Sequence, residues 1–178
     1  RDALDGDVPE VVVFSETLGE ARRTIVENYL SAKYAVPLDG GDRYAGDQSG
    51  NGDYDRGVFG IGRTSASDFH SAAETDGLRF DAAAGLGNGD YLLAGHRTAA
   101  NTATTSDING LGGTIEARSA RTWYTDVTNT GAGITVDVTV DLSEAGLSGP
   151  AGAAGNYVLL QRTADAADGT TWTPLQSG

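Results

Sequence analysis

Residues 134–142 read ITVDVTVDL, and their alternation decides the fold class. Ile134, Val136, Val138, Val140 and Leu142 fall on one side of an extended chain. Thr135, Asp137, Thr139 and Asp141 fall on the other. A period of two with a polar outer row is the pattern of a strand in a sheet with one wet face. Shorter apolar runs repeat the signal outward. They predict strands at Val58–Arg63, Leu78–Phe80, Tyr91–Ala94, Thr114–Ala117, Thr122–Val127 and Tyr157–Arg162, with a last one around Trp172. Gly-rich segments join them, including the Asp39–Gly57 loop and the Thr/Ala/Asn-rich stretch Ala99–Gly113. The expectation is an all-β protein, a β-sandwich of mostly antiparallel strands. Within VFGIGR, Gly60 and Gly62 share one face, which predicts close backbone approach or a bulge.

One segment breaks the pattern. Pro9–Tyr34 reads PEVVVFSETLGEARRTIVENYLSAKY. Val11–Phe14 is an apolar, β-branched run of the kind buried on both faces. Thr17 and Glu20 have capping-box spacing. Ala21, Ile25, Tyr29 and Ala32 then recur at helical intervals, with Leu18, Val26 and Leu30 widening the stripe, and Pro37 marks the stop. The spacing predicts one α-helix over about residues 17–34, its stripe packed on the core.

The chain has 178 residues and reads as a single sandwich-like domain over 1–178. Residues 1–8 form an exposed lead-in or a donated strand, and 164–178 a tail. There is no Met, and the sequence starts at Arg1, which suits a matured product or a piece of a longer polypeptide. There is no Cys, so thiolate metal sites, disulfides and Cys nucleophiles are excluded. A formal charge of −13, with a single Lys, argues against nucleic acid and anionic membrane as partners. No apolar run is long enough for membrane insertion.

The strongest chemical candidate is the loop DQSGNGDYD. Asp47, Ser49 and Asn51 alternate, Gly52 supplies a turn, and Asp53 and Asp55 follow, echoing the early positions of a calcium loop. The twelfth position is Val58, so the bidentate Glu of an EF-hand is missing. A solvated acidic turn is the competing reading. His70 and His96 are the only histidines; without HxH or HExxH spacing, both are expected in surface or turn roles. Tyr44, Tyr54, Trp123, Tyr124 and Trp172 are candidates for a sugar-stacking face, against the alternative of core or edge packing. No GxSxG elbow or P-loop occurs.

The pattern resembles a segment of large secreted surface proteins of the Bacteroidetes type. There a strand and helix like E-V-I-V-Y…L-S…E-R…I…Y-L-A-x-K-Y-G usually close a concanavalin-like, laminin-G-like sandwich. Here the matching positions are Glu10–Phe14, Leu18, Glu20, Arg23, Ile25, Tyr29, Leu30, Lys33 and Tyr34. Gly60, Ile61, Gly62 and Arg63 match a G-I-G-R element. Gly89, Tyr91, Leu92 and Gly95 match G-x-Y-L-x-x-G, and Arg121, Trp123, Gly131, Val136 and Asp141–Ser143 match a later one. Ala35 stands where that pattern has Gly, and Thr64 where an acid is common.

The resemblance implies extracellular display and supplies no catalytic residue. The expected function is a non-enzymatic structural or adhesive module of a cell-surface protein, as a self-associating filament subunit or beside neighbouring domains. Carbohydrate binding, assisted by calcium, is the alternative.

Overall fold

The computed structural model describes residues 6–108, 111, 115–131, 133–147, 152–162 and 172–175. Among these residues one α-helix, α1 (Glu20–Tyr34), precedes eleven strands. These are β1 (Arg56–Ser65), β2 (Asp68–His70), β3 (Ala73–Thr75), β4 (Leu78–Ala84), β5 (Tyr91–His96), β6 (Ala103–Thr104), β7 (Arg118–Ser119), β8 (Trp123–Thr128), β9 (Thr135–Val140), β10 (Leu159–Gln161) and β11 (Thr173–Leu175). A four-stranded sheet has the order β2-β1-β5-β8, and a three-stranded sheet the order β3-β4-β9. The short pairs β6-β7 and β10-β11 complete the ladder set, and all the pairings are antiparallel.

The two larger sheets face each other across Phe59, Ile61, Leu78, Phe80, Leu92 and Ala94. The rings of Phe59 and Phe80 stack at 4.9 Å between centroids. The opposite face of the four-stranded sheet carries Val58, Tyr91 and Leu93, covered by Ile25 and Ala32 of α1 and by Tyr44 and Tyr54 of the following loop. The central strands β1 and β5 are therefore covered on both sides, and all six residues of β5 are buried. Gly60 and Gly62 make that possible. A Cβ on Gly60 would run into the Leu92 carbonyl oxygen, and one on Gly62 into the Tyr91 ring. The close approach expected from the sequence is the observed one.

The start of α1 departs from expectation. Thr17 does not cap it; the N-cap is Gly19, which offers no side chain. Asp68 of β2 takes over: the Glu20 and Ala21 N–H groups donate to its Oδ2 at 2.7 and 3.3 Å. Thr64 donates to the same oxygen at 2.7 Å. An acid at position 64 would repel Asp68, so the Thr there fits its neighbour. The Thr64 hydroxyl, helped by the Ala21 and Glu20 N–H groups, holds the Asp68 carboxyl below its usual range against its desolvation.

Val11–Phe14 is not a buried strand. It forms no ladder with the described residues, and Val11 and Val13 are 76 and 85 % exposed. Val12 and Phe14 are about half as exposed, at 43 and 44 %. The segment is moored to α1 by polar contacts at its two ends: Glu10 to Lys33 and Tyr34, and Glu16 to Arg22. No ladder joins it to a described strand, and Val11 and Val13 stand largely in solvent.

Other expectations shift more modestly. Ile115–Ala117 is coil, pairing begins at Arg118, and Thr114 lies outside the described residues. The Ala99–Gly113 stretch contains β6. Ile134, just before β9, and Val136 on it pack against the core, while Val138 and Val140 are 47 and 41 % exposed. Strand β9 is the edge of its sheet, and its far end overhangs the cover. Residues 1–5 and most of the tail lie outside the described residues. No described helix is long and apolar enough to cross a membrane.

Asp90, fully buried at the entry to β5, receives the Gly87 N–H at 2.8 Å, the Thr130 N–H at 2.7 Å and its hydroxyl at 2.8 Å, and the Asn129 amide at 3.1 Å. Desolvation works against its charge, but the Thr130 and Gly87 donors prevail and hold the carboxyl below its usual range. A depressed folded pKa stabilises the fold above about pH 4 and is lost as pH falls through the folded value. Asp90→Ala should cost about 3 kcal/mol by orphaning these donors. Asp90→Asn should flatten the acid limb of the stability curve. Urea titration between pH 3 and 7 reads both.

Ala35, at the C-cap of α1, has φ 51° and ψ 41°, a left-handed conformation that costs a Cβ-bearing residue about 1–2 kcal/mol. Ala35→Gly should raise stability by about 0.5–1 kcal/mol after the entropy loss of Gly, seen as a higher Tm.

Candidate functional site

Arg56, the first residue of β1, pairs across the ladder with His96, the last of β5. Here the two central strands run out from under their cover. The turn after β3 brings Asp76 in from the second sheet, and Arg121 arrives just before β8. Tyr29 and Lys33 project from the last turns of α1. Together with Asp55, Gly57 and Ala99 these residues line a cleft of about 410 Å³.

His96 is 3 % exposed, so the surface role expected for it is overturned. Its Nε2 lies 3.0 Å from Asp76 Oδ2 and its Nδ1 3.0 Å from the Thr98 carbonyl oxygen. Trp123 meets the ring edge-on at 4.7 Å. Both imidazole nitrogens face oxygen acceptors, so neither is free to serve a substrate. Gly57, at φ 54°, admits the pair; a Cβ there would collide with the Asp76 carboxylate. The ring is a fastening between β5 and the β3–β4 turn.

The Arg121 guanidinium donates to two neutral carbonyls, Asp76 at 2.7 Å and Ala99 at 3.3 Å. Its Nε is buried with no hydrogen-bond partner. The Arg56 side chain is exposed and makes no hydrogen bond or ion pair with the described residues. Lys33, the chain's single lysine, is held by the Tyr29 hydroxyl at 2.8 Å and the Glu10 carboxylate at 2.9 Å. Those two bonds, Tyr29 first, push its ammonium above the usual lysine range. Two guanidinium groups thus reach the cleft with no carboxylate ion pair among the described residues, in a chain whose net charge is −13.

The calcium candidates fold differently from their sequence spacing. Ser49–Asn51 forms a 3₁₀ turn closed by Gly52 at φ 102°. Residues two apart in such a turn point about 120° away from each other around its axis, which separates Ser49 from Asn51. The Asn51 amide is committed to the Ala45 carbonyl at 2.7 Å. Asp53 occupies a left-handed position at φ 54°. Burial, then the charge of Asp42, with smaller effects of Asp55 and Asp53, raises the Asp47 carboxyl above its usual range. Asp55 opens onto the cleft instead. Among the described residues, no group of three or more His, Asp and Glu side chains is arranged to hold a metal ion.

The candidate sugar platform is dispersed into the interior. Tyr44, Tyr54 and Trp172 are buried, and Tyr124 packs against the first two at 6.0 and 5.6 Å. Trp123 is half-buried between Phe59 and His96. His70 is half-buried on β2, where burial, then Arg22, lowers its pKa.

Sequence reading missed Arg56, Asp76 and His96 as neighbours. They lie 20 or more positions apart, and only sheet pairing joins them.

No curated protein and no solved structure matches the chain. A family described as a domain of unknown function matches residues 22–177, nearly the whole sequence, and the chain belongs to that family, DUF8202.

Proposed function

We propose that this domain is a non-enzymatic structural or adhesive module of a secreted cell-surface polypeptide, joined to its neighbours by strand addition. The carrying observation is the exposed Val11–Phe14 run. It has the composition of a strand buried on both faces, yet the described residues leave it uncovered. Its graded exposure, Val11 and Val13 high and Val12 and Phe14 lower, follows the period of an extended strand. Apolar side chains on an unpaired extended segment are a template for joining another sheet. Extracellular placement rests on the resemblance of the strand-helix and GIGR motifs.

Val11→Glu with Val13→Glu should leave the Tm within about 2 °C, because neither side chain packs on the core. The same pair should abolish concentration-dependent association in light scattering and any fibres in electron micrographs. A wild-type protein that stays monomeric at high concentration, both alone and beside its neighbouring domains, would end this reading.

A second reading, glycan binding, is favoured by the cleft, whose guanidinium groups make no carboxylate ion pair with the described residues and stand beside carboxylates able to accept hydroxyl hydrogens.

A further inference from the structure

We propose that the cleft takes a hydroxylated carboxylate, specifically a uronic-acid residue of an acidic glycan; the proposal rests on the glycan-binding reading. Its volume of about 410 Å³ falls within the 300–1,000 Å³ of ordinary small-molecule sites. The donor set fits an oxyanion. Arg56 has no partner among the described residues, and Arg121 spends its hydrogen bonds on carbonyls that leave its charge uncompensated. A planar guanidinium meets a carboxylate through two parallel hydrogen bonds.

The acceptor set fits a sugar. Asp55 makes no hydrogen bond or ion pair with the described residues, and Asp76, half-exposed, has a second oxygen beyond the one facing His96. Carboxylates are acceptors only, so they suit hydroxyl groups and repel a ligand that offers only negative charge. A bare anion offers no hydroxyl hydrogen to Asp55 and Asp76, and a neutral sugar offers the arginines hydroxyl oxygens but no opposite charge. A sugar acid answers both. The lining itself sets Arg56, Arg121 and Lys33 against Asp55 and Asp76, and exposed charges more than about 10 Å away are largely screened in 0.1 M salt.

The architecture supports a preformed site. Arg121 is fixed by carbonyls from two different loops, His96 by Asp76 and Thr98, and Gly57 keeps the floor open. Ligand binding therefore demands ordering of Arg56 and Asp55, while Arg121 and His96 are already held.

The test is an NMR titration of the whole chain with galacturonate, galactose and acetate, separately, in 0.1 M salt. Saturable shifts of the Gly57, His96 and Ala99 amides are expected with galacturonate at millimolar concentration, and much weaker ones with galactose and acetate. Arg56→Gln should weaken galacturonate about tenfold, the scale of one charge-assisted hydrogen bond. Arg23→Gln, on the exposed side of α1, should not change it. Equal binding of galactose would overturn the acid assignment and keep glycan binding. Equal binding of acetate would overturn the sugar assignment. Absence of saturable shifts with either sugar would overturn both the inference and the glycan reading. Val11→Glu with Val13→Glu should leave the titration unchanged, which separates this site from strand docking.

Discussion

Covering β1 and β5 on both faces is the constraint that organises this molecule. A sheet between a helix and a second sheet must be apolar on both sides, and its backbone must lie close to each cover. The Phe59, Ile61, Leu92 and Ala94 row meets the second sheet, and the Val58, Tyr91 and Leu93 row meets α1 and the tyrosine loop. Glycine at 60 and 62 is the condition for the second contact, since the Tyr91 ring and the neighbouring strand fill the space a side chain would need. Dispersion and apolar burial on both sides then fix the strands far more firmly than one covered face could.

The two ends of β5 differ in how the strand leaves its cover. At the entry, Asp90 is sealed by donors from two turns. At the exit, His96 is fastened to Asp76, but Arg56 and Arg121 make no ion pair with the described carboxylates. One end is a closed polar lock and the other an open one. The same strand pair thus supplies both a structural anchor and a surface with chemistry left to offer.

Period and punctuation made the strands legible. Alternation located β9, and the glycine pair located the tight core of β1. The helix was legible from its stripe, but its cap was not. Thr17 and Glu20 have the right local spacing, while Asp68 wins because it is delivered by the sheet. Val11–Phe14 shows the opposite failure. Composition reports what a segment needs to bury and is silent on whether its own domain supplies the cover. The cleft was illegible because Lys33, Arg56, Asp76, His96 and Arg121 are joined only by register and turns. The alternating oxygens of residues 47–55 suggested convergence, but a tight helical turn separates them.

The Asp68 contact also has a consequence for the order of assembly. Helix α1 is fifteen residues long, near the lower limit at which an isolated helix persists in water. Its first free N–H groups are answered by a residue 48 positions downstream. On the ribosome the helix sequence therefore emerges well before the carboxylate that completes it. Until the β1–β2 hairpin closes, the nascent N-terminal segment frays from its leading turn, and docking of helix and hairpin becomes a single cooperative event.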